Sequence, residues 1–197
     1  MERKNAWLSY GEADETAMEK LAKDYRAFLD AGKTERECVT ELVREAEANG
    51  YVNLETKLAA GEKIQPGDKV YAVGMKKIMT LFHVGQEPLE KGMNILGAHI
   101  DSPRLDVKQN PLYEDTGLAY LKTHYYGGIK KYQWTTIPLS MHGVIVKTNG
   151  EKIEINIGED EADPIFTITD LLPHLAQDQM NKKLSRGIDL SLIHISE

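Results

Sequence analysis

The run Gly92-Met93-Asn94-Ile95-Leu96-Gly97-Ala98-His99-Ile100-Asp101-Ser102-Pro103 decides how the rest of the chain is read. Its first part, residues 93–98, is short, apolar and without polar alternation, the pattern expected of a strand buried on both faces of an α/β sheet. That strand ends at His99 and Asp101, and ligands of open α/β sheets gather beyond the carboxyl ends of the strands. Side chains two apart on a strand share a face, which places Asp101 to orient the His99 imidazole. A carboxylate held against a metal-ligating imidazole fixes its tautomer and raises its basicity. The same spacing suits a histidine that only closes a strand with a hydrogen bond, so His-x-Asp alone leaves both readings open.

Working back from this run, residues 69–73 and 78–84 read as two strands joined at Gly74. Two helices precede them. In residues 14–29, Met18, Leu21, Ala22, Tyr25, Phe28 and Leu29 recur at spacings of three and four, which predicts one buried stripe ending at Gly32. The next helix begins with a capping box, Thr34-Glu35-Arg36-Glu37, and its core face would be Val39, Leu42, Val43 and Ala46 before Asn49-Gly50.

Working forward, the character changes after Asn110-Pro111, with aromatics and glycines dense over residues 113–134. Residues 143–147 and the alternating Lys152-Ile153-Glu154-Ile155-Asn156-Ile157 flank Asn149-Gly150, a strong hairpin signal. An acidic loop follows over residues 158–164, and Thr169 or Asp170 is expected to cap a helix carrying Leu171, Leu172, Leu175 and Met180. A boundary near Lys108 then divides the chain into a mixed α/β part, 1–108, and a β-rich part, 109–189.

Composition narrows the function classes. With 24 Lys and Arg against 31 Asp and Glu in 197 residues, the formal charge is −7, which argues against a nucleic-acid partner. Apolar residues at 41% and charged residues at 28% are globular proportions. The one cysteine, Cys38, precludes an internal disulfide and suggests a reducing, cytoplasmic setting; its place on an apolar helix side makes it a core filler. The charge-free run at residues 133–146 is broken by Pro138 and Gly143 and is too short for a membrane span, and the N-terminus carries no signal-peptide pattern.

The run from Gly92 to Lys108 closely resembles the first metal-ligand segment of the aspartyl-aminopeptidase family of dinuclear zinc exopeptidases. Lys122-Thr123-His124-Tyr125-Tyr126-Gly127-Gly128-Ile129-Lys130-Lys131-Tyr132-Gln133-Trp134 is similar to the bacterial branch of that family. The resemblance implies a zinc-dependent aminopeptidase that removes N-terminal residues, with Asp or Glu as candidates, from peptides. It implies two zinc ions per subunit, His99 as a ligand to one of them, and Asp101 as its orienting catalytic partner. The implied fold is the N-terminal part of a mixed-sheet sandwich, interrupted near Lys108 by a β-rich oligomerisation domain through which the protein self-associates.

The remaining ligands and the general base of such a site have no counterpart in this chain, which therefore reads as an N-terminal fragment, inactive alone. Asp160, Glu161 and Asp163 read as a solvated turn, and His83, His124, His142 and His174 as structural or exposed. Tyr125, Tyr126, Tyr132 and Trp134 suit packing or a subunit contact better than peptide binding. Residues 190–197 resemble the translated read-through of a sequencing adaptor; otherwise they read as an edge strand whose exposed apolar end invites aggregation. Two further functions stay open: a non-catalytic interaction module, and a related dinuclear zinc hydrolase of acylated amino acids.

Overall fold

The structure is a computed structural model and describes residues 5–196. The described residues form two compact units, divided between Asp101 and Ser102.

In the first unit, α1 (Glu12–Ala31) and α2 (Glu35–Ala48) precede a three-stranded sheet of β1 (Val52–Asn53), β2 (Lys69–Gly74) and β3 (Ile78–His83), with α3 (Leu54–Ala59) between β1 and β2. The order is β1-β2-β3, β1 parallel and β3 antiparallel to β2. The capping box forms as expected: the Thr34 hydroxyl accepts from the Glu37 amide, and the Glu37 carboxylate accepts from the Thr34 amide at 2.8 Å. Cys38, Val39 and Ala46 of α2 are buried with Val70 and Tyr71 of β2, while Leu42 and Val43 are half-buried. The Tyr71 hydroxyl donates to Glu47 Oε1 at 2.6 Å, which ties β2 to α2.

Two expectations for this unit are corrected. α1 forms over the expected residues and ends at Gly32, yet none of its side chains is buried, and Leu21 and Tyr25 stand exposed. Periodicity reports the face a helix would bury, not whether this chain provides the surface to cover it. Residues 93–98 form no strand: among the described residues no ladder reaches them, and Leu96 is 99% exposed. A doubly buried strand needs neighbours on both edges and layers on both faces, and this unit supplies neither to that run.

The second unit is built on a four-stranded antiparallel sheet, order β4-β5-β9-β8, from β4 (Arg104–Asp115), β5 (Leu118–Tyr126), β8 (Ile165–Thr167) and β9 (Leu192–Ser196). The expected hairpin forms a separate ribbon, β6 (Met141–Val146) with β7 (Lys152–Ile157), turning at Gly150 with φ +84°. Leu121, Phe166, Ile168, Leu190 and Ile193 form the core, with Trp134, Met141 and Ile157 packed against it.

β4 runs without a break through Lys108 and Asn110-Pro111, and the two compact units divide between Asp101 and Ser102. The register shifts between Val107 and Leu112, with Asn110 at φ +50°, so a bulge absorbs the proline that cannot donate to the ladder. The helix expected from Thr169 or Asp170 shrinks to α4 (Gln177–Met180), with Leu171, Leu172, Leu175 and Met180 exposed. A short amphipathic run next to a proline has little helical stability without a packing surface. Residues 192–196, read as an unpartnered edge, pair on both sides, with β5 and with β8. Thr123, 1% exposed, donates its amide to Ser191 O at 2.8 Å and its hydroxyl to Leu190 O at 2.7 Å.

Candidate functional site

His99 follows the exposed run 93–98 in the first unit. Its Nδ1 is 3.1 Å from Asp101 Oδ1 and 3.0 Å from the Asp101 carbonyl oxygen. Both neighbours can only accept when the carboxylate is ionised, so Nδ1 carries the proton. In the neutral ring the lone pair therefore sits on Nε2, the nitrogen turned away from Asp101. With 84% of its side chain exposed, His99 presents Nε2 to the surroundings, whereas Asp101 is more than half covered. The donor chemistry fits one zinc ligand with its orienting carboxylate. It does not complete a site: among the described residues no group of three or more His, Cys, Asp or Glu side chains could hold a metal ion.

The other candidates separate from this pair. In the acidic loop, Asp160 Oδ1 accepts from the Ala162 amide and Asp163 Oδ2 from the Gly158 amide, so these carboxylates shape a turn. Cys38 is buried, and burial, followed by the Glu37 and Glu35 carboxylates, pushes its thiol up, against a nucleophilic role. Tyr125 and Tyr126 are engaged by cations, Lys131 Nζ lying 4.5 Å from the Tyr125 ring and the Arg104 guanidinium 4.2 Å from that of Tyr126. Trp134 packs against the core. The sequence missed the partners of His142, which is only 9% exposed at its side chain and stands 3.0 Å from both Glu159 Oε1 and Ser140 Oγ. Ser140 donates to the same carboxylate at 2.8 Å, clamping the root of β6 to the acidic loop. The sequence began this strand at Gly143, one residue after His142, and nothing local announced Glu159 as its partner.

Among the described residues no helix is long and apolar enough to cross a membrane.

The chain matches the family model of the aminopeptidase I zinc metalloproteases (M18) over residues 28–196. It is 54% identical over 195 residues to a probable M18 family aminopeptidase 1 of Clostridium acetobutylicum, covering 98% of this chain and 42% of that protein. The crystal structure of aminopeptidase I from C. acetobutylicum superposes with a TM-score of 0.85 at 52% identity, covering 99% of this chain and 43% of the other. The M18 aminopeptidase of Thermotoga maritima gives a TM-score of 0.86 at 44% identity, covering 98% and 41%. The yeast mApe1 dodecamer shares the fold at 18% identity with a TM-score of 0.67. The chain thus spans about two fifths of the length of the relatives it matches. By the breadth of that match, the chain belongs to the M18 family of aminopeptidase I zinc metalloproteases.

Proposed function

We propose that the chain supplies the first zinc ligand and the assembly module of a metalloaminopeptidase, and that it does not cleave peptides by itself. The observation that carries this reading is the His99–Asp101 pair, with Nδ1 held by the carboxylate and Nε2 exposed. His99 would ligate one zinc through Nε2, and Asp101 would hold the ring in that tautomer. A pair of zinc ions, when bound, activates water and polarises the scissile carbonyl. The family assignment to zinc metalloproteases supports the metal; two ions per subunit, and N-terminal Asp or Glu as the residue removed, extend that reading.

The exposed run at residues 93–98 suits a strand whose neighbours come from the rest of a longer catalytic domain, in line with the 42% of the C. acetobutylicum protein that this chain covers. His99 then awaits further ligands from the same source. The β-rich part, 109–189, would interrupt that catalytic domain and mediate self-association, as the dodecamer of the yeast protein suggests. A cytoplasmic location agrees with a single buried, reduced cysteine.

Hydrolysis of aminoacyl nitroanilides by the zinc-supplemented chain tests this reading. No release above the zinc-only rate is expected. Turnover removed by His99→Ala would show that these residues complete a working site and would overturn it.

A further inference from the structure

We propose that β7 is a self-pairing edge, at which two copies of the chain join antiparallel about a two-fold axis through Ile153. This rests on reading the β-rich unit as the assembly module and names the contact it uses. Among the described residues, β6 and β7 form a two-stranded sheet with no third strand. The ribbon packs on the core through Met141 and Ile157, and an open edge is a template for another strand. Leu139, just before β6, already bridges Phe166, so the long open edge is that of β7.

The backbone fixes which residues face that edge. The Lys147 amide donates to Glu151 O, so Glu151, Ile153 and Ile155 turn their backbone groups toward β6, and Lys152, Glu154 and Asn156 turn theirs outward. Antiparallel self-pairing must set outward residues opposite one another, which leaves three central registers. An axis at Glu154 brings two Glu154 carboxylates face to face, and like charges directly opposite are destabilising. An axis at Ile155 sets Glu154 opposite Asn156. Only the axis at Ile153 sets Lys152 opposite Glu154 of the second copy, and symmetry makes that pair twice. All three registers keep the apolar faces on one side: Ile145, Ile153 and Ile155 lie there beside Met141 and Ile157, which pack on the core, with Ile145 exposed, so pairing joins two such sides into one surface.

Sedimentation equilibrium of the full chain tests the contact. Lys152→Glu and Glu154→Lys each place like charges opposite, and each is expected to weaken self-association about tenfold or more, while the double variant K152E/E154K restores it. Recovery in the double variant also shows that the single variants fold. In a Cys38→Ser background, Ile153→Cys should oxidise to a symmetric disulfide dimer faster than Ile155→Cys. Self-association that both single charge variants leave unchanged, or preferential crosslinking at residue 155, would overturn the contact and leave the assembly role standing. A wild-type chain monomeric at every concentration would overturn both.

Discussion

His99 and Asp101 are joined through one nitrogen: Nδ1 lies 3.1 Å from the Asp101 carboxylate and 3.0 Å from its carbonyl oxygen. The carboxylate therefore selects the Nδ1–H tautomer before any other ligand is present. Nitrogen-15 NMR of the chain should show Nδ1 protonated in neutral His99, with Asp101→Ala moving the ring toward the Nε2–H form. An unchanged tautomer in that variant would show that Asp101 does not orient the ring. In a longer protein holding zinc, the same substitution should weaken zinc binding about 10–100-fold.

Tyr71 and Glu47 make the hydrogen bond that fastens β2 to α2. The Glu47 carboxylate that accepts it, together with burial, raises the Tyr71 hydroxyl above its ordinary value of 10.0. A raised pKa stabilises the fold fully below the unfolded value and is lost as the pH rises through the folded one. Tyr71→Phe should cost about 1–2 kcal/mol in urea unfolding at neutral pH, and should flatten the alkaline decline of stability that wild type shows above about pH 10.

Asp68 acts at the other end of the scale. Its carboxylate accepts from the Gln65 amide at 2.7 Å and lies 3.4 Å from Lys57 Nζ, and these contacts, the amide first, lower it from 3.8. The stabilisation is complete above the ordinary value and disappears as the pH falls through the lower, folded one. Asp68→Asn should remove part of the acid sensitivity of the first unit below about pH 4, read by circular dichroism across a pH series. An identical acid profile would show that this carboxylate contributes nothing.

Local signals were legible and long-range ones were not. The capping box of Thr34 and Glu37 and the Asn149-Gly150 turn act within a few residues, and both form as the sequence implies. At Asn110-Pro111, where the composition changes, a bulge lets β4 continue. Residues 93–98 carry the composition of a buried strand, but burial depends on partners the local pattern does not contain. At the candidate site, the two-residue spacing anticipated the His99–Asp101 contact, while the His142–Glu159 clamp joins positions on either side of β7 and left no local mark.

Residues 190–196 matter to the second unit whatever their origin. Leu190 and Ile193 are core side chains, and β9 fills the place between β5 and β8. Leu190→Ala should cost about 2–5 kcal/mol, and Thr123→Val, which strands the Leu190 carbonyl, about 1–2 kcal/mol. Ending the chain at Asp189 should abolish the cooperative unfolding transition of that unit. A truncated chain that melts like the full one would mean that β9 adds no stability.

On the proposed function, residues 1–189 carry the His99 part of an M18 active site that a longer chain completes. Grafting these residues in place of the matching segment of the C. acetobutylicum aminopeptidase, 54% identical to this chain, tests it most directly. The zinc-loaded chimera is expected to release N-terminal amino acids from peptides, and His99→Ala to remove at least about 99% of the rate while leaving the chimera folded. A folded chimera whose His99→Ala variant keeps full activity would contradict it.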